Sequence, residues 1–155
     1  MTKVIIAILN YNGVGFLEKF LPAFLQNSND HQIVIIDNAS TDDSLSWLKT
    51  NYPMIQTIGL QENLGFTGGY NEGLTGVKSD YFLIVNSDIE VTPNWVEPLK
   101  EFLDNNPEYS ACQPKILSQT QKHLFEYAGA AGGFVDLFGY PYCRGRIFET
   151  IEEDL

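Results

Sequence analysis

Four apolar runs, each cut off by a cluster of Asn, Asp or Ser, constrain this chain more than any other feature. Residues 4–9 (V-I-I-A-I-L) form a continuous, largely β-branched run, the pattern of a strand buried on both faces, and stop at Asn10-Tyr11-Asn12-Gly13. Residues 33–36 stop at Asp37-Asn38, and residues 81–85 stop at Asn86-Ser87-Asp88. A weaker strand around residues 55–58 leads to Asn63-Leu64-Gly65-Phe66-Thr67-Gly68-Gly69-Tyr70-Asn71. Helical stripes lie between the runs. Phe16, Leu17, Phe20, Leu21, Phe24 and Leu25 share one helix face, with Pro22 placed to kink or split it. Ser40-Thr41-Asp42-Asp43 resembles a helix start, a hydroxyl cap followed by acids, with Leu45 and Leu48 as its buried side. A short helix is expected after the glycine-rich stretch, and Trp95, Leu99, Phe102 and Leu103 mark another. Strand and helix alternate, which argues for an α/β fold: a parallel sheet with right-handed crossovers. Beyond Pro107 the rhythm fades, although residues 110–113 read as a further strand.

Composition narrows the function. With 155 residues, 44% hydrophobic and 13% aromatic, the chain can bury one real core. Its formal charge of −11 has the wrong sign for a nucleic-acid partner. An anionic ligand must therefore be gripped locally, by backbone N–H groups, a few cations or a metal ion. No stretch approaches the roughly 18 apolar residues of a membrane helix, and residues 4–9 are too short for a signal-peptide core. Cys112 and Cys143 lack metal-thiolate spacing and read as reduced thiols of a cytoplasmic protein. His31 and His123 read as surface residues.

In a parallel α/β sheet, ligands bind beyond the carboxyl ends of the strands. Asn10 and Tyr11, Asp37 and Asn38, Asn63, and Asn86 through Asp88 all fall there, so one common site is expected. Tyr11 offers a flat face on which a base can stack. Asp37 accepts hydrogen bonds only, which suits a pyrimidine N–H or a ribose hydroxyl. Gly65, Gly68 and Gly69 permit close backbone approach to a ligand, and Asn71 is placed to fix that loop or reach a sugar. Asp88 suits Mg²⁺ or Mn²⁺, with ligand phosphates completing the oxygen shell. The plainer alternatives are that Asp37 caps the next helix and that the glycines only make a turn.

Rival readings use the same elements. Gly13-Val14-Gly15 after a strand resembles a dinucleotide-binding turn, but the third glycine position is Glu18, and Asn86-Ser87-Asp88 is left without a role. A nucleotidyltransferase would need a basic loop after the first strand, and residues 10–15 contain no Lys or Arg.

The ordered set V-I-I-A-I-L-N-Y-N-G (residues 4–13), I-D-N-A-S-T-D-D-S (36–44), N-L-G-F-T-G-G-Y-N (63–71) and N-S-D (86–88) resembles family 2 glycosyltransferases of the GT-A fold, nearest their bacterial rhamnosyltransferase-like branch. The resemblance runs through Gln113 and returns in residues 125–146. It implies a Rossmann-like, mostly parallel sheet flanked by helices. The activity it implies is inverting transfer of a sugar, rhamnose or another hexose, from a UDP- or dTDP-type donor to a glycan or lipid-linked polysaccharide precursor of the cell envelope. By position, Tyr11 and Asp37 would meet the base, Asn63 and the glycine loop the ribose and diphosphate, and Asp88 the Mg²⁺ or Mn²⁺ ion. Asn86 stands where many members carry the first acid of D-x-D, as in the rhamnosyltransferase-like branch. The family's catalytic base comes later in the chain, and Glu126 and Asp136 lie too early, so the base is expected beyond Leu155. The expectation is thus a single, C-terminally incomplete GT-A domain, residues 1–88 its nucleotide-binding half and 89–155 the start of its acceptor half. A non-catalytic nucleotide-sugar binding module is the competing reading. No membrane span is expected; contact with the inner membrane face would run through missing regions, and a homodimer is open. Arg144 and Arg146 could reach a diphosphate or phosphorylated acceptor, or pair with Glu149 or Glu152. Phe134, Phe138, Tyr140 and Tyr142 could line an acceptor groove or pack on another domain or subunit.

Overall fold

The computed structural model describes residues 3–126, 132–144, 146–147 and 150–151, in two compact units, Met1–Lys100 and Glu101–Leu155. The first unit carries four parallel strands, β1 (Val4–Asn10), β2 (Gln32–Asp37), β3 (Gln56–Gly59) and β4 (Tyr81–Asn86), in the order β3-β2-β1-β4. Helices α1 (Val14–Asn27), α2 (Ser44–Asn51) and α3 (Gly65–Gly73) connect them. Strands β1 and β2 are central and their apolar residues are almost wholly buried, as expected of strands with both faces covered. On one face Ile6, Ile8, Ile33 and Ile35 pack with Leu17, Phe20, Leu21, Phe24 and Leu48. On the other, Ile5, Ala7, Val34 and Ile36 pack with Tyr70.

Several local expectations change. Helix α1 runs through Pro22 without a break in its span. Pro22 is exposed, so the carbonyl it leaves unbonded can turn to water. Helix α2 starts later than the Ser-Thr-Asp-Asp pattern suggested and has no side-chain cap bond. Its Leu48 is buried, but Leu45 is 40% exposed. Trp95 precedes α4 (Glu97–Asn105) rather than lying in it, and packs edge-on against Phe24, ring centroids 5.7 Å apart. In β4, an edge strand, Tyr81, Leu83 and Val85 are only partly buried against the core, and the alternate residues Phe82 and Ile84 are exposed on the other face. His31 is not a free surface residue: its Nε2 lies 2.9 Å from Glu97 Oε2. Hydrogen bonds from His31 and Asn29 hold the Glu97 carboxyl below its ordinary range.

The glycine-rich stretch is itself the helix. Gly69 and Gly73, one turn apart, face the sheet; a Cβ on Gly73 would meet Ile36 Cγ2 at 2.5 Å, and one on Gly69 would meet Leu9 Cδ1 at 2.8 Å. Glycine lowers helix propensity, but here it lets α3 settle directly onto β1 and β2. The hydroxyl of Tyr70 then donates to the Val85 carbonyl at 2.8 Å, tying α3 to β4, and burial pushes its pKa up to about 12.

In the second unit, residues 110–113 form no strand; an isolated antiparallel bridge joins Leu117 to Phe125. Strands β5 (Gly133–Val135) and β6 (Pro141–Cys143) pair antiparallel, as do β7 (Arg146–Ile147) and β8 (Thr150–Ile151). Glu149 and Glu152, suggested partners of the arginines, lie outside the described residues.

Gly73→Ala should cost about 1–3 kcal/mol in denaturant unfolding, because the buried Ile36 has no room to yield. Gly15→Ala, in α1 with nothing within 4 Å, should instead add about 0.5–1 kcal/mol. Raising the pH from 10 towards about 12 should deprotonate Tyr70 in the unfolded chain before the folded one, so that stability falls across that window. Tyr70→Phe should remove that part of the fall in pH-dependent unfolding.

Candidate functional site

Parallel register brings the strand ends into a row. Gly59 pairs with Asp37, Asp37 with Asn10, and Leu9 with Asn86. Four polar loops separated by up to 76 positions in sequence therefore open on one edge of the sheet.

The loops after β1 and β2 are clasped together by a buried polar network. Asn10 is wholly buried, and its Nδ2 donates to Asp37 Oδ2 at 3.0 Å and Ser40 Oγ at 3.2 Å. The N–H of Ser40 donates to Asp37 Oδ1 at 2.8 Å, and that of Asn38 to the Asn10 carbonyl at 2.8 Å. Asn12 adds the outer layer. Its N–H donates to Ser40 Oγ at 2.9 Å, while its Oδ1 accepts from the N–H of Thr41 at 2.7 Å. Asn12 and Ala39 sit at φ of 49° and 62°, the left-handed region that asparagine tolerates and alanine resists. Both loops are therefore held in costly conformations by the bonds between them.

The Ser-Thr-Asp-Asp segment belongs to this clasp. Asp42 Oδ2 accepts from the N–H of Val14 at 3.0 Å and Oδ1 from that of Ser44 at 3.0 Å. Burial pushes the Asp42 carboxyl up, but the bonds from Ser44 and Val14 outweigh it and hold it below its ordinary range. A carboxylate of the chain's own thus takes the first N–H of α1, which a dinucleotide-binding turn would aim at a pyrophosphate. Gly13 has a packing reason: a side chain there would collide with Asn10 Oδ1.

A second network joins the loop after β2 to the start of α3. Asn38 Nδ2 donates to Asn63 Oδ1 at 2.9 Å and to the Gly65 carbonyl at 3.1 Å, and Asn38 Oδ1 accepts from the N–H of Leu64 at 3.0 Å. Gly65, at φ 69°, makes the turn there that other residues resist.

The expected residues divide accordingly. Asn10, Asp37, Asn38 and Asn63 come together, but as the frame of the site. Asp37 is fully buried and its oxygens accept from within the chain, so its carboxylate lies beneath the loop and does not open to solvent. Tyr11, 49% exposed, projects from the clasp, and Asn86 and Asp88 are exposed at the end of β4. Gly69 approaches the sheet, and Gly68 faces Leu64; Asn71 is exposed on the helix side away from Gly69 and Gly73. Sequence reading missed the positioning roles of Asn12, Ser40 and Asp42. The Asn12-Gly13 pair was the available signal, being a turn dipeptide with an asparagine fit for positive φ. No cluster of three or more His, Cys, Asp or Glu side chains suited to a metal occurs among the described residues. Asp88 could thus supply one carboxylate oxygen, leaving the rest of a Mg²⁺ or Mn²⁺ shell to ligand phosphates and water.

A four-stranded parallel sheet with flanking helices and a polar rim at its carboxyl edge defines an α/β domain of the kind whose ligands bind beyond the strand ends. Comparison with known proteins specifies it: the model of Glycosyl transferase family 2 matches residues 4–148, and the chain belongs to that family. It is 26% identical over 112 residues to an uncharacterized glycosyltransferase of Haemophilus influenzae, covering 70% of this chain and 35% of that protein. It is 30% identical over 100 residues to the glycosyltransferase GlyA of Streptococcus pneumoniae, covering 63% of this chain and 14% of GlyA. The fold is GT-A, shared with residues 1–349 of S. aureus TarS solved with UDP (TM-score 0.57, 20% identity, 68% of this chain and 33% of that one). TarS solved with UDP-GlcNAc aligns equally well (TM-score 0.57, 21% identity, 68% and 32%). The chain thus spans about a third or less of the length of these relatives.

The clasp makes a sharp prediction. Asn10→Asp would set a second carboxylate against buried Asp37, and should cost about 3 kcal/mol at neutral pH. Part of the loss should return as the pH falls and the two acids share a proton, read as a narrowing gap to wild type in unfolding titrations.

Proposed function

We propose that this chain binds a nucleoside diphosphate sugar at the carboxyl edge of its sheet and serves inverting glycosyl transfer to a hydroxyl acceptor. The observation that carries this reading is the clasp of the β1 and β2 loops. It holds Tyr11 outward as a stacking face for the base, while Asp37 and Asn38 fix the backbone behind it. Asn63 and Gly65 form the neighbouring wall, on the ribose and diphosphate side. Asn86 and Asp88 complete the edge. Asp88 would hold Mg²⁺ or Mn²⁺, whose charge would offset that of the departing nucleoside diphosphate. The acceptor oxygen bonds to the anomeric carbon opposite the breaking bond to the diphosphate, so the configuration inverts.

UDP or dTDP is the donor type, with rhamnose or another hexose as the sugar, in keeping with a rhamnosyltransferase-like branch. A glycan or lipid-linked envelope precursor is the acceptor, at the cytoplasmic face of the membrane. No helix among the described residues is long and apolar enough to cross a membrane.

Calorimetric titration of UDP and of dTDP tests the reading. Binding with Mn²⁺ should weaken at least roughly tenfold in EDTA and in Asp88→Ala, as expected on loss of a metal-bridged phosphate contact. A folded protein that binds neither nucleotide would overturn the donor-site assignment.

A further inference from the structure

The hairpin of β5 and β6 has no core side. Antiparallel pairing sets Phe134 against Tyr142, rings stacked with centroids 5.4 Å apart, and Val135 against Pro141 on the opposite face. Phe134 is 52%, Tyr142 54% and Val135 68% exposed, so both faces of the ribbon are apolar and open. At the tip Leu137 is 96% and Phe138 83% exposed. The tip is not slack. Asp136 Oδ1 accepts from the N–H groups of Phe138 and Tyr140, both at 2.9 Å, and the Gly139 N–H donates to the Asp136 carbonyl at 3.0 Å. A built turn thus holds two large apolar side chains outward. A two-stranded ribbon of this kind is marginal in water, and exposed apolar surface on this scale marks a contact site.

We infer that this hairpin is a wedge for the interface of a phospholipid bilayer. Two observations choose lipid over a protein partner. First, the apolar residues surround the ribbon on both faces and at its end, which one protein surface covers poorly and a fluid medium covers fully. Second, the side chains are graded along its axis. Leu137 and Phe138 form the apex, Tyr140, Phe134 and Tyr142 the aromatic zone, and Arg144 follows at the base, its N–H bonded to the Gly132 carbonyl. That is the depth order of a bilayer interface: acyl boundary, aromatic belt, phosphate level. Four residue steps along the strand separate the Arg144 level from the Asp136–Tyr140 turn, about 13 Å, which matches insertion of the tip below the headgroups. Arg144 is thus a cation at this base in a chain of net charge −11. Asp136 sits in the tyrosine zone, with two backbone N–H groups on its charge. The inference does not depend on the transferase reading, because the wedge lies in the second unit and its test requires no nucleotide.

Co-sedimentation of the whole chain with phospholipid vesicles decides it, using pure phosphatidylcholine and an equimolar mixture with phosphatidylglycerol. Wild type should pellet with both. The double variant Leu137→Ser/Phe138→Ser should lose roughly tenfold or more in partitioning. Its thermal midpoint should not move, since both side chains are exposed. Arg144→Ala should weaken binding to the mixed vesicles more than to phosphatidylcholine. Wild type left in the supernatant with both vesicles, or a double variant that pellets like wild type, would refute the wedge. Self-association abolished by the double variant, with no vesicle binding, would refute it too and assign the hairpin to a second copy of the chain.

Discussion

The buried hydrogen bond from Asn10 to Asp37 is the contact on which the rest of the site depends. It closes the ends of the two central strands against each other at the point where their backbones leave the sheet. An aspartate with no exposed surface is tolerable only when its oxygens are satisfied, and Asn10 and Ser40 do this. Because Asn10 Nδ2 must face a carboxylate, the orientation of that amide is settled, and with it the crowding that requires glycine at position 13. Asn12, Ala39 and Asp42 then fall into place as consequences. The strained positive φ of Asn12 and Ala39 is held, and Asp42 set on the first turn of α1, by the loops being locked together.

Helix α3 shows how a single composition can serve packing and site at once. Its glycines look like a ligand loop, yet Gly69 and Gly73 bring the helix onto Leu9, Asn38 and Ile36. That closeness places Asn38 within reach of Asn63, Leu64 and Gly65, so the second network depends on the first packing contact. Asparagines form most of the frame: Asn10, Asn12, Asn38 and Asn63. The carboxylates of Asp37 and Asp42 are turned inward, and Asp88 is left outward.

Sequence alone determined the α/β class, the order of strands and helices, and the place where polar residues collect. These are legible because a buried parallel strand must be apolar throughout, an amphipathic helix must repeat at 3.6 residues, and strand ends are where polarity resumes. The ordered motifs sufficed for the family as well. What only the tertiary structure decided is which polar residues frame the site and which project from it. Asp37 and Tyr11 both follow strands, yet one is sealed and the other open. The difference arises from bonds to Asn10 and Ser40, which register and loop closure bring together. The glycines of α3 read as a loop because propensity is a local quantity, whereas their use is set by the distance of a helix from a sheet. Likewise residues 133–143 carry no period that sequence could resolve, since a ribbon apolar on both faces has no inside to alternate with. Periodicity records burial against the chain's own core, and it falls silent where contacts are non-local or lie outside the chain.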